Sequence, residues 1–212
     1  MELTWFGQSC FKIKGKDVSL VTDPYGEIGL ALPRLEADVV TISHNHYDHN
    51  AVEKIGGEPF VVSGPGEYEI KGIFIEGIES DHDKKGGAER GKNTIYVMHL
   101  DDLVVCHLGD LGQKMSVEQV DKIGNVDILL VPVGGSFTLG AEGAVDIINE
   151  IEPKIVIPMH YKVPGLEMDI EDEKKFCEAI GTECIVHEGT YKIQKKDLPE
   201  EGMLITLLKP ML

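Results

Sequence analysis

The chain has 212 residues, 42% of them hydrophobic and 27% charged, and its 37 acidic against 20 basic side chains give a formal charge of −17 at pH 7. That length suits one sizeable domain, residues 1–212, with a core of its own. The acidic excess and the presence of only two arginines, Arg34 and Arg90, leave no electrostatic footprint for nucleic acid, and no stretch approaches the ~20 apolar residues of a membrane span.

MELTWFGQSC (1–10) lacks the basic and apolar segments of a signal peptide and reads as the first strand. Strands at about 2–6, 10–14 and 18–22, separated by short turns, predict an antiparallel start. The apolar, β-branched run DVVTIS (38–43) predicts a buried strand, followed by PFVVS (59–63), a glycine-rich bend GPGE (64–67) and paired strands through 67–79. The segment DKKGGAERGK (83–92), charged and glycine-rich, reads as a loop. Further strands fall at about 94–99, 103–107 and 127–132, and helices at 116–123, 141–151 and 169–180, the middle one ending before Pro153. Late strands are expected at 154–158, 183–187, 190–194 and 203–208. The order is that of an α/β chain. Four cysteines (Cys10, Cys106, Cys177 and Cys184) form no C-x-x-C pair. Neither a disulfide framework nor a thiolate zinc site is expected, which points to a reducing, cytoplasmic location.

The densest chemistry follows DVVTIS. Residues 44–49 read His44-Asn45-His46-Tyr47-Asp48-His49, three of the eight histidines in six positions. His44 and His46, two apart in extended backbone, point the same way and can grip one ion; Asp48 and His49, further round the turn, can reach a second. Borderline divalent ions favour imidazole nitrogen and carboxylate oxygen. Two later strand-like runs end in the same residue types: LVVC (103–106) leads into His107-Leu108-Gly109-Asp110, and IVIPM (155–159) into His160. His82, inside Ser80-Asp81-His82-Asp83, follows IFIEGI (73–78). Apolar strands that each deliver a His or Asp at the carboxyl end imply one shared site at a sheet edge.

These motifs resemble the metallo-β-lactamase superfamily, and more narrowly its small bacterial and archaeal branch similar to ascorbate-6-phosphate lactonases. The matching pieces are TWFGQSCF (4–11), TDPY (22–25), HNHYDHN (44–50), RGKNT (90–94), HLGDLG (107–112), PVGGSFT (132–138) and IPMHY (157–161). The resemblance implies a four-layer αββα sandwich, the metallo-β-lactamase fold, and two divalent metal ions, zinc first, with manganese or iron as alternatives. It assigns His44, His46 and His82 to the first ion, Asp48, His49 and His160 to the second, and Asp110 to a bridge between them. His107, on the strand three residues before Asp110, is the rival of His82. Asp23 resembles the family's acid that fixes a ligand's tautomer through its other ring nitrogen, and Gln8, in the polar position near the metals, is expected as a substrate contact.

The activity implied is hydrolysis of an ester, lactone or phosphoester bond in a small, anionic metabolite by a hydroxide shared between the ions, with Asp48 and Asp110 as catalytic residues. Asp48 would orient the hydroxide or accept its proton. Arg90 and Lys92 in the 83–92 loop offer charge to an anionic group, and Gly134-Gly135 offer backbone N–H groups. The alternatives are an iron-dependent redox enzyme similar to persulfide dioxygenases, or a non-catalytic metal-binding module. The apolar end LITLLKPML (204–212) suits either a homo-oligomer contact or an edge strand.

Overall fold

The computed structural model describes residues 1–212. The first strands are β1 (Glu2–Trp5), β2 (Phe11–Lys14), β3 (Ser19–Thr22), β4 (Leu35–Glu36), β5 (Val39–Ile42), β6 (Ile55–Gly56), β7 (Phe60–Ser63), β8 (Gly66–Ile70), β9 (Ile73–Asp81) and β10 (Lys92–Leu100). After β11 (Leu103–His107) come α1 (Val117–Ile123), β12 (Ile128–Pro132), α2 (Ala141–Ile151), β13 (Ile155–Met159) and α3 (Glu173–Ile180). The chain ends in β14 (Cys184–His187), β15 (Tyr191–Lys192) and β16 (Leu204–Leu208).

Two sheets carry the fold. A six-stranded sheet runs β15-β1-β2-β3-β5-β7, and an eight-stranded sheet runs β14-β16-β13-β12-β11-β10-β9-β8. The pairs among β1, β2 and β3 are antiparallel, as the short turns between them predict, whereas β3–β5 and β5–β7 are parallel. Burial follows this pairing. In β2, Phe11 and Ile13 are buried and Lys14 is exposed, the alternation of a strand with one wet face. In β5, β12 and β13 every residue is buried, and each of these strands has parallel neighbours on both sides. A single cluster of buried apolar side chains, from Leu3 to Leu208, fills the space between the sheets. The metallo-β-lactamase sandwich is therefore the architecture observed, with α2 against β12, α1 against β9 and α2, and α3 against α2.

Local chemistry sets the helix ends. Gln119 N–H donates to Ser116 Oγ while Ser116 N–H donates to Gln119 Oε1, a reciprocal cap that starts α1. Expected from 169, α3 begins four residues later. Asp172 caps it, and the preceding backbone is committed elsewhere: Glu171 N–H donates to Gly134 O, and Lys162 N–H donates to Glu171 O. The hairpin of β9 and β10 is longer than expected, pairing Lys92 with Asp81 and shortening the loop between them.

Two expectations fail. Cys177 and Cys184 form a disulfide joining α3 to β14, although no such bridge was expected, while Cys10 and Cys106 are free and buried. The pair lies seven positions apart across the α3–β14 turn, a proximity that only the turn creates. The run 204–212 is no edge strand, because β16 lies between β13 and β14 and β14 takes the edge. Its apolar residues are covered up to Leu208, and of the apolar ones only Met211 and Leu212 are exposed. No helix is long and apolar enough to cross a membrane.

Candidate metal centre

Strand ends deliver the site. β5 leads into residues 44–49, β9 into His82, β11 into Asp110, and β13 into His160. Asp23 follows β3, and Gln8 sits in the β1–β2 turn. Three of these residues take left-handed backbone conformations: Gln8 (φ 49°), Asp23 (φ 38°) and His160 (φ 52°). Such backbone costs about 1–3 kcal/mol per residue and persists where the surroundings over-determine it. Here they do. His160 N–H donates to Gln8 O, Trp5 Nε1 donates to the same carbonyl, and Asp23 N–H donates to Thr41 O.

The candidate donors fall in two groups, His44, His46 and His82, and Asp48, His49, Asp110 and His160, within each of which the ligating atoms lie within 4.8 Å of one another. Asp110 joins them. Its Oδ2 lies 3.2 Å from His160 Nε2, 3.3 Å from His49 Nε2, 3.4 Å from His82 Nε2 and 3.9 Å from His44 Nε2. Asn93 fixes the backbone that carries this carboxylate: its Oδ1 accepts the Asp110 N–H (2.9 Å), and its Nδ2 donates to Leu108 O (2.9 Å) and Ser80 Oγ (2.7 Å). Asn93 had no assigned role in the sequence; RGKNT was the only sign of it. Gly109 is required beside it, since a Cβ there would lie 2.4 Å from Asn93 Oδ1 and its φ is +56°.

Hydrogen bonds set the tautomers. Asp23 Oδ1 accepts the Ser43 N–H (2.7 Å), and its Oδ2 accepts the Ser43 hydroxyl (2.6 Å). With its proton so committed, Ser43 Oγ accepts from His44 Nδ1 (2.9 Å). His49 Nδ1 lies 2.9 Å from Asp23 Oδ2 and donates to it. One carboxylate thus holds a proton on Nδ1 of both imidazoles, on His49 directly and on His44 through Ser43, and leaves both Nε2 atoms to take a cation. These two atoms, His44 Nε2 and His49 Nε2, and also Asp110 Oδ1, are buried without a hydrogen-bond partner. Orphaned buried acceptors cost about 1–3 kcal/mol each, and cations among them would satisfy all three. The donor set is nitrogen and oxygen with no thiol, which suits borderline divalent ions.

Charge follows the same plan. Burial, aided by His49, brings the pKa of His44 down to about 3, so its imidazole is neutral. Burial also opposes charge on His49, but Asp110 and Asp23 outweigh it and push that pKa well above the usual histidine range, so a cation bound at Nε2 would take the place of a proton there. Burial raises the carboxyls of Asp48 and Asp110, yet the imidazole of His49 beside the first, and those of His160 and His49 beside the second, hold both below their ordinary values. They are carboxylates.

The structure separates the remaining candidates. His107 is outside both groups: its Nδ1 accepts the Gly109 N–H (3.2 Å) and its Nε2 bonds Ser9 O (3.0 Å), so both nitrogens are committed. His82 joins the cluster instead. Gln8, expected as a substrate contact, is fully buried, with its Nε2 2.9 Å from Asp48 Oδ2 and 2.8 Å from His160 Nε2. It holds donor residues rather than facing the cavity. Gly135 is a turn glycine whose N–H already donates to Leu139 O (3.1 Å), so that group is not free for an anion. Lys92 is drawn away to Asp81 (2.7 Å). Arg90 does reach the site. A cavity of about 270 Å³ is lined by His46, Asp48, His82 and Asp110, and by Tyr47, Arg90, Phe137 and Met168. The last two were not anticipated. A larger groove of about 840 Å³ between α2, α3 and Lys84 holds no imidazole.

The β-lactamase superfamily domain model matches residues 2–160 of the chain. The chain belongs to the metallo-β-lactamase superfamily. It is 32% identical over 205 residues to a UPF0173 metal-dependent hydrolase of Salinibacter ruber, covering 81% of this chain and 89% of that protein. A UPF0173 protein of Pyrococcus abyssi is 34% identical over 193 residues, covering 78% and 85%. A Thermotoga maritima crystal structure, assigned to a Zn-dependent hydrolase of the metallo-β-lactamase superfamily, superposes with a TM-score of 0.81 at 32% identity and 98% coverage of both chains. This superfamily member is a metal-dependent hydrolase.

Proposed function

We propose that the protein hydrolyses an ester, lactone or phosphoester bond in a small anionic metabolite with two divalent ions, zinc first. In this reading His44, His46 and His82 would hold one ion, Asp48, His49 and His160 would hold the other, and Asp110 would serve both. The observation that carries it is the Asp110 carboxylate, whose Oδ2 lies 3.2–3.9 Å from four imidazoles, two of which present orphaned Nε2 atoms. Bound ions of this kind lower the pKa of water from near 16 to about 7 and polarise a substrate oxygen.

The chain's own groups do the rest. Asp48, held as a carboxylate and anchored by Gln8, accepts a proton or orients the attacking oxygen. Asp23 keeps His44 and His49 in the Nδ1-protonated tautomer. Arg90 takes a negative group of the substrate. The cavity, at about 270 Å³, lies at the small end for ligand sites and suits a metabolite rather than a polymer.

The test is metal analysis of protein purified without chelator, followed by a panel of lactones, phosphodiesters and thioesters with zinc, manganese and iron. Two ions per chain and turnover on one ester class are expected. One iron per chain with oxygen uptake on glutathione persulfide would replace this reading with the redox one. Silence across all three metals would leave a binding module.

A further inference from the structure

Directly after His82 the chain makes a second assembly that the metal centre does not use. The Asp83 carboxylate is buried, and it accepts four backbone N–H groups from its own loop: Lys85 (2.7 Å) and Gly87 (3.1 Å) on Oδ1, Glu89 (2.9 Å) and Arg90 (2.8 Å) on Oδ2. Gly86, Gly87 and Gly91 all adopt positive φ, which lets the backbone curl round that one side chain. The loop closes on its stem through His82 N–H to Gly91 O. The last residue held by Asp83 is Arg90. Of the loop's other cations, Lys85 pairs with Glu89 (2.6 Å), Lys92 pairs with Asp81 (2.7 Å), and Lys84 is exposed and does not line the metal cavity. The half-buried Arg90 guanidinium instead lies over the Phe137 ring, 4.6 Å from its centroid, at the wall of the metal cavity. A guanidinium seated on an aromatic face keeps its N–H edges free for a planar or tetrahedral oxyanion.

We propose that residues 83–91 are an anion-recognition loop in which Asp83 is the positioning residue for Arg90, and that Arg90, seated on Phe137, binds a carboxylate or phosphate carried by the substrate. This rests on the hydrolase reading above and adds where the anion is held. The overall charge of −17 repels anions at long range, so selection for one must be local, and Arg90 is the cation in the cavity wall. Phe137, Met168 and Tyr47 give the rest of that wall an apolar character that suits a short hydrocarbon segment between the anion and the scissile bond.

Two measurements on the metal-loaded full chain test this. Trypsin cleavage after Lys84 and Lys85 reports loop order without any substrate. Inorganic phosphate or succinate is expected to slow it in the wild type, and whichever protects at lower concentration identifies the preferred anion. Asp83→Ala is expected to speed cleavage about tenfold and to abolish protection, while Arg90→Ala abolishes protection alone and Arg90→Lys restores part of it. On esters, Asp83→Ala and Arg90→Ala should each raise KM for mono-p-nitrophenyl succinate at least about tenfold, far more than they lower kcat, as loss of a charged hydrogen bond requires. The double variant should be no worse than Arg90→Ala, and KM for uncharged p-nitrophenyl butyrate should change less than twofold.

Equal losses on both esters would make Asp83 merely structural and overturn the proposal. So would protection that survives Arg90→Ala, because the anion would then sit elsewhere in the centre. Protein that binds no metal and cleaves neither ester would sink the hydrolase reading, yet phosphate protection through Arg90 would still stand or fall by itself.

Discussion

His82 and Asp83 are adjacent in the chain and serve opposite kinds of construction. On one side, Asp110 gathers imidazoles from the ends of β5, β9 and β13, residues far apart in sequence and fixed by two packed sheets. On the other, Asp83 gathers backbone N–H groups from within seven residues of itself. The first assembly is rigid because strands place it, and its buried acceptors stay unmet without a cation. The second is ordered by a single side chain acting on a glycine-rich loop. Damage to the first should abolish metal binding and chemistry; damage to the second should loosen recognition and leave the metals in place.

The largest effect belongs to Asp110→Ala. Removing the carboxylate shared by four imidazoles should cost at least one ion per chain and lower the rate about a thousandfold or more, since several kcal/mol of charge stabilisation depend on the metals. Thermal unfolding should remain cooperative, because the apolar core is elsewhere. Full metal content with a rate within tenfold of wild type would end the idea that Asp110 is the hub. Next comes Asp23→Asn. An amide cannot accept from both His49 Nδ1 and the Ser43 hydroxyl in the same way, so the tautomers of His44 and His49 lose their lock. Metal affinity measured by chelator competition should fall about 10–100-fold with the fold intact. No change would mean that the imidazoles are oriented by packing alone.

The contrast between the two assemblies also explains what the sequence made legible. His44, His46, Asp48 and His49 could be named as candidate donors because their spacing carries metal chemistry in short-range order, while the set of seven came from the family resemblance. Spacing alone did not separate His82 from His107; the fold brings His82 into the cluster and commits both ring nitrogens of His107 to backbone groups. Gln8 was placed near the site, but nothing in TWFGQSCF reveals a left-handed residue turned inward onto Asp48 and His160. Asn93 and Phe137 lie within the RGKNT and PVGGSFT matches without an assigned role, and Met168 lies in none, since their roles depend on contacts between distant segments. The Cys177–Cys184 bridge was missed for a related reason: a helix end and a strand start meet through a turn whose geometry the spacing does not encode.

Gly112→Ala probes the junction of the two regions. A Cβ at 112 would lie 2.3 Å from His82 O and 2.6 Å from Asp83 N, both backbone atoms that cannot swing away. The 82–83 peptide must therefore shift, displacing an imidazole and the loop carboxylate together. Overpacking of this kind costs about 1–3 kcal/mol, a fall of several degrees in Tm for a chain of this size. Metal affinity and tryptic susceptibility of the 84–91 loop should worsen in the same variant. If only one of them changes, the two assemblies are mechanically independent despite their shared peptide.

The smallest effect is expected at Asp38, a carboxylate remote from the centre that combines both designs. It accepts the backbone N–H and the hydroxyl of Ser19, and it pairs with Lys71 at the β8–β9 turn, tying the two sheets together at their surface. The Lys71 hydrogen bond, with the two from Ser19, lowers its pKa to about 2, below the value of about 3.9 for an unfolded aspartate. A depressed folded pKa contributes stability that is fully present above pH ~4 and is lost as pH falls toward 2. Asp38→Asn should therefore cost only about 0.5 kcal/mol at pH 7, because the pair is substantially solvated. The gap between wild type and variant should close between about pH 4 and pH 2 in urea titrations. A gap that stays constant with pH would show that the Ser19 contacts matter as neutral hydrogen bonds, and that a carboxylate's charge counts only where, as at Asp110 and Asp83, the protein has buried it.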